Sequence, residues 1–150
     1  MRNKLLAAAV TAACVLGCRA PRKADVPPAA VEKTPMTIQE WKGQNADDDE
    51  PAALVAADQG AWARAWKRIG RDAPPADFEK FVGVVVFVGL KPTGGYTVVF
   101  DEPVAKGDDV LVRYHVPKPG GFTTQALARP WKARLFPRPK GRVIVEAAAE

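Results

Sequence analysis

Few side chains in this chain could do covalent chemistry. Its 150 residues include no serine, one histidine (His115) and two cysteines, Cys14 and Cys18. A Ser–His pair is therefore excluded, and a Cys–His pair would have to use Cys14 or Cys18, both in the N-terminal targeting region. A zinc site needs three or four ligands, and a single histidine among scattered carboxylates does not provide that pattern. His115 stands beside Arg113 on the more polar side of an alternating segment and reads as structural or solvated. Asp77 and Asp101 are the right residue types for paired acid–base work, but nothing in their spacing brings them into one cleft. Gly94-Gly95 lacks the Lys-Ser/Thr and the following helix of a phosphate-binding loop. The run Asp47-Asp48-Asp49-Glu50 lacks the alternating ligands, central glycine and distant glutamate of an EF-hand, so it reads as a solvated acidic loop. The expectation is a chain that is not an enzyme and takes no metal or cofactor.

The N-terminus carries a targeting signal. Arg2 and Lys4 precede an apolar run from Leu5 to Gly17 that is too short to span a bilayer. It ends in Val15-Leu16-Gly17-Cys18, which resembles a bacterial lipobox, with Cys18 as the residue to be lipidated. The residue after Cys18 is Arg19, not the aspartate of an inner-membrane retention signal, so the expected location is the outer membrane of a bacterial envelope. Two or more acyl chains on Cys18 would make that anchoring stable. Cys14 leaves with residues 1–17 and Cys18 is consumed by lipid, which leaves the domain without a disulfide. Residues 18–35 are rich in Pro, Ala and charge and read as a disordered tether. Fully extended, residues 19–35 would reach about 55–60 Å. The formal charge of +5 falls to roughly +3 without Arg2 and Lys4. That excess forms no basic stripe with interleaved aromatics, so a nucleic-acid partner is not expected.

The folded domain is expected over residues 36–146, with 147–150 as a tail. Phe81 to Asp101 organises it. Val82, Val84, Val86 and Val88 share one side of a period-2 ribbon, and Val85 and Phe87 share the other. A strand apolar on both sides belongs at the centre of a sheet. Leu90 to Gly95 then reads as a turn and Tyr96 to Phe100 as the returning strand, which makes a hairpin. Paired glycines would supply positive φ at the turn. Further strands are expected near residues 36–41 with Ile38 inward, at 52–57, at 110–116 and at 142–146. Prolines 130, 137 and 139 predict an irregular or edge strand around Trp131 to Phe136. Asp58 caps a helix ending at Gly70. Trp62, Ala65, Trp66 and Ile69 form its apolar stripe, with Arg64, Lys67 and Arg68 facing water. The class is α+β: a mainly antiparallel β-meander sheet with one amphipathic helix packed on it.

Asp77-Phe78, the run from Val82 to Gly89 and the turn Lys91-Pro92-Thr93-Gly94-Gly95-Tyr96 resemble the core motif of the PrcB C-terminal domain family. The upstream helix with Trp62 and Trp66 is similar to the family's tryptophan-bearing helix. Pro130-Trp131 resembles its Pro-aromatic element, where the family more often has tyrosine. The resemblance runs from about Met36 to Val145. It implies an exported, non-catalytic domain that helps a bacterial protease assemble or stay stable, and it names no active site.

Three readings of function follow. In the first, Lys91, Pro92, Thr93, Gly94, Gly95 and Tyr96 form a rigid loop that meets a protein partner, a protease in the reading the family suggests. In the second, the domain binds a small ligand or glycan, with Trp41 or Trp131 as a stacking surface. In the third, the Leu90–Tyr96 loop inhibits a protease directly.

Overall fold

The computed structural model describes residues 39–148. The leader, Cys18, the tether, Ile38 and the last two residues lie outside them. Four strands make the first sheet: β1 (Glu40–Gly43), β2 (Ala52–Ala56), β3 (Phe81–Phe87) and β7 (Trp131–Pro137). Their order is β1-β7-β3-β2, with every pair antiparallel. The second sheet is built around β6 (Asp109–His115). Along it run β4 (Val99–Phe100) and β5 (Val104–Lys106), both antiparallel, and β8 (Val143–Ala147), which is parallel. Among the described residues one helix, α1 (Gln59–Lys67), covers the outer face of the first sheet. The result is a helix–sheet–sheet sandwich of the expected α+β, mainly antiparallel class.

The two-sided reading of β3 holds. From Val82 to Phe87 every residue of β3 is buried. Val85 and Phe87 join the core beneath α1, while Val84, Val86 and Val88 join the core between the sheets. The expected hairpin does not form, however. Both edges of β3 are taken by β2 and β7, so the chain after Phe87 has no ladder to add to. It crosses instead to the second sheet, where β4 pairs with β6. One meander sheet is thereby replaced by two layers, and Val110, Val112, Tyr114 and Val116 face the interlayer core.

The prediction for Trp131 to Phe136 also needs correction. β7 is regular and lies in the sheet interior, between β1 and β3. Its prolines sit just before the strand and at its last residue, where a missing N–H removes no internal ladder bond. Pro130 even contributes its carbonyl, accepting from Val88 N at 2.9 Å.

The helix starts and stops as its sequence predicts. The Asp58 carboxylate accepts from Ala61 N at 2.8 Å. Arg71 N reaches the Trp66 carbonyl at 3.3 Å and Gly70 N that of Lys67 at 3.1 Å, a Schellman-type close around Gly70 at φ 79°. Trp62, Ala65, Trp66 and Ile69 are all buried. Arg64 and Lys67 are exposed, but Arg68 instead lies over the Phe87 ring at 4.8 Å.

Beneath the helix all four tryptophans of the chain meet. Trp62 and Trp66 stand 5.5 Å apart, and Trp41 approaches them at 5.7 and 5.6 Å. Trp131 lies 5.5 Å from Trp66. Each contact is edge-on, the arrangement favoured by aromatic quadrupoles. Small residues make the room. A Cβ on Gly83 would lie 2.5 Å from Trp62 Cζ3, and one on Gly43 would lie 2.6 Å from Trp131 Nε1. Gly83→Ala should therefore cost about 1–3 kcal/mol in urea unfolding. Gly120→Ala, where a Cβ would meet nothing within 4 Å, should leave the midpoint unchanged.

Candidate functional site

The turn after β3 is a junction of several segments. Leu90 N donates to the Asp49 carbonyl at 2.9 Å. Lys91 and Ala128 exchange both backbone bonds, at 2.7 and 2.9 Å. Gly94 N donates to Thr124 O at 3.0 Å, and Gln44 Nε2 donates to Tyr96 O at 2.7 Å. Positive φ falls on Gly95 (91°), where a side chain would be both strained and within 3.0 Å of Pro119 Cβ. Gly94 is not among the positive-φ glycines, so the expected pair reduces to one. It is buried against Thr124.

The acidic loop supports this junction and is not simply solvated. Asp48 pairs with Arg68 at 2.6 Å, and Asp49 pairs with Arg129. Both cations lie beside the turn's anchor points, since Arg129 follows Ala128 and Arg68 holds Asp47 N through its carbonyl at 3.0 Å. Asp49 raises the pKa of Arg129 above its usual value. The Glu50 backbone N–H, followed by Arg68, holds the Asp48 carboxyl below its ordinary 3.8. Among the described residues no group of three His, Cys, Asp or Glu side chains is placed to hold a metal ion.

Exposed apolar side chains lie on the bonded backbone and in the loop beside it. Leu90 is 43% exposed and Leu127 64%, and Phe122 is fully exposed. The Lys91–Ala128 bridge sets exposed Pro92 opposite Leu127. Lys91 and Thr93 are half-buried, and the Lys91 ammonium lies 5.5 Å over the Tyr96 ring. Phe122 and Leu127 were not singled out from sequence. The available signal was an aromatic in a Pro/Gly loop, Pro119-Gly120-Gly121-Phe122, with no strand or helix period to bury it.

On its other side the turn walls a cleft of about 430 Å³ at one end of the sandwich. Lys91 and Tyr96 face Tyr114, His115 and Val116 across it. His115 Nδ1 donates to Asp101 at 3.0 Å, a pairing across β4 and β6 that sequence spacing does not reveal. Asp77 is tied instead to Lys80 at 2.8 Å, so the two candidate carboxylates do not share a site. Trp131 is only 3% exposed and Trp41 is half-buried in the tryptophan cluster, so Trp131 offers no stacking surface and Trp41 little.

Residues 83–133 match the family model described as PrcB C-terminal. Over these residues the chain is similar to the PrcB C-terminal family. The PrcB C-terminal match runs from the middle of β3 through the turn and the β4–β6 strands into β7. It therefore contains the turn, its partners Thr124 and Ala128, and the exposed Phe122 and Leu127. No curated protein and no solved structure matches the chain.

The Asp48 geometry makes a pH prediction. A carboxyl whose pKa is lowered by folding contributes stability that is complete above its unfolded value of 3.8 and is lost as the pH falls through the lower folded value. Between pH about 5 and about 2, the urea midpoint of Asp48→Asn should drop less than that of the parent chain. Equal drops would show that the loop contributes nothing through this charge.

Proposed function

We propose that this chain is a non-catalytic accessory domain that binds a protein partner, held at a bacterial envelope by lipid on Cys18. The partner in this reading is a secreted or surface protease that the domain helps to assemble or stabilise. The observation that carries the proposal is the exposed apolar set Leu90, Pro92 and Leu127 on a backbone fixed by the Lys91–Ala128 bonds, with fully exposed Phe122 in the adjoining loop. Exposed apolar side chains beside a fixed backbone are what association uses, and a large aromatic in the adjoining loop, Phe122, can add to its energy on ordering. Prior fixing of the turn also spares the entropy of ordering it on binding. The absence of serine, and of cysteine outside the leader and the Cys18 lipobox, supports a non-catalytic role.

Two alternatives draw less support. A glycan platform needs accessible rings, and the tryptophans are largely occupied by one another. Direct inhibition needs a protruding loop that can enter a protease cleft, whereas Leu90 to Tyr96 is bonded to four other segments.

The test is mild crosslinking in envelope membranes, comparing the parent chain with the Phe122→Asp/Leu127→Asp double variant. The parent should give a discrete crosslinked species. The variant should lose it by about tenfold or more, with an unchanged unfolding midpoint, as expected when anchor residues are removed. Equal crosslinking by both forms would exclude this surface.

A further inference from the structure

The cleft beside the turn has its own chemistry. It lies just past the last pairs of both sheets, Ala52↔Phe87 in the first and Tyr114↔Ala147 in the second. There the interlayer core comes to the surface: Val86 and Val88 form one wall, and Tyr114 and Val116 the other. The next residues inward on these faces, Val84 and Val112, are fully buried, so the cleft is shallow and closed at its base. Among the described lining residues the charged side chains are Lys91 and Lys118, and none is a carboxylate. His115 also lines the cleft, with its Nδ1–H engaged by Asp101.

An apolar wedge rimmed by cations is complementary to an apolar group bearing a carboxylate. We propose that this cleft binds the C-terminal residue of a polypeptide, with its carboxylate at Lys91 and its side chain against Val86, Val88 and Val116. A charge-assisted bond to the carboxylate sets the direction of the chain, and the volume is in the range of small-ligand sites. The closed base admits a short side chain and leaves no tunnel for a long acyl chain. The inference deepens the protein-binding reading and rests on it, although its site is separate from the Phe122–Leu127 surface.

The test is fluorescence anisotropy with the full chain and a pentapeptide ending in valine, labelled at its N-terminus. The free-acid peptide should bind saturably, and its C-terminal amide about tenfold or more weaker, because only the acid carries the charge. Hexanoate should compete only at far higher concentration than unlabelled peptide. Lys91→Ala should weaken the acid peptide about fivefold or more, whereas Lys106→Ala, on exposed β5, should not change it. Equal affinity for acid and amide, or no saturable binding, would overturn the proposal. Hexanoate competing as well as peptide would overturn the polypeptide as its source. The Phe122→Asp/Leu127→Asp variant should bind the peptide normally, so failure of the docking surface and failure of the cleft are separable.

Discussion

The fold depends on a cluster of four indoles between one short helix and one sheet. Burying a tryptophan removes about 150–250 Å² from water, worth on the order of 4–6 kcal/mol each at about 25 cal/mol per Å² as an upper estimate. A helix of nine residues is marginal by itself; Trp62 and Trp66 make it part of the core. Trp41 and Trp131 bring β1 and β7 to the same point, so the two strands of this sheet most distant in sequence are joined through side chains as well as through their ladder. Gly43, Gly83 and Ala133 on the sheet beneath are the complementary half of this contact, since larger residues there would displace the rings.

The same constraint explains why the turn is a surface and not a hairpin. With β2 and β7 already flanking β3, the chain emerging at Gly89 must leave the sheet. It does so by bonding to whatever surrounds the exit: the acidic loop at Asp49, the Ala128 segment that leads into β7, and Thr124. Those partners are themselves fixed, Asp49 by Arg129 and Ala128 by its place ahead of Pro130 and Trp131. Rigidity at the turn is thus inherited from the tryptophan core through β7. The segment that carries the family match is the one that receives this rigidity.

Local pattern was legible in the sequence; long-range pairing was not. The helix with its cap and stripe, both faces of β3 and the interlayer face of β6 all follow from periodicity over a few residues. What failed was partner choice. Val82–Phe87 and Tyr96–Phe100 look like a hairpin because they are adjacent, and only the capture of both β3 edges by distant strands excludes it. The prolines around β7 point to an irregular edge, while the alternation of Trp131, Ala133 and Leu135 with Lys132 and Arg134 is the pattern that fits its interior place. Those two cations sit on the interlayer face, over the Phe100 and Phe136 rings at 5.6 and 4.9 Å, and Lys132 also pairs with Glu40. The turn residues Lys91 to Tyr96 were legible as a unit, but their contribution to the cleft was not, because it depends on β6 approaching from another sheet.

The central claim is that the turn is a preformed surface held by the core, and backbone hydrogen exchange of the free chain tests it most directly. The account predicts that the amides of Leu90, Lys91, Gly94 and Ala128, each with a bonded partner, exchange far more slowly than those of Gly120 to Phe122, and that those nearest β7 approach the protection of β3. Exchange at the turn as fast as at Gly120 to Phe122 would contradict it, because a surface that is not formed in the free protein is not inherited from the tryptophan core.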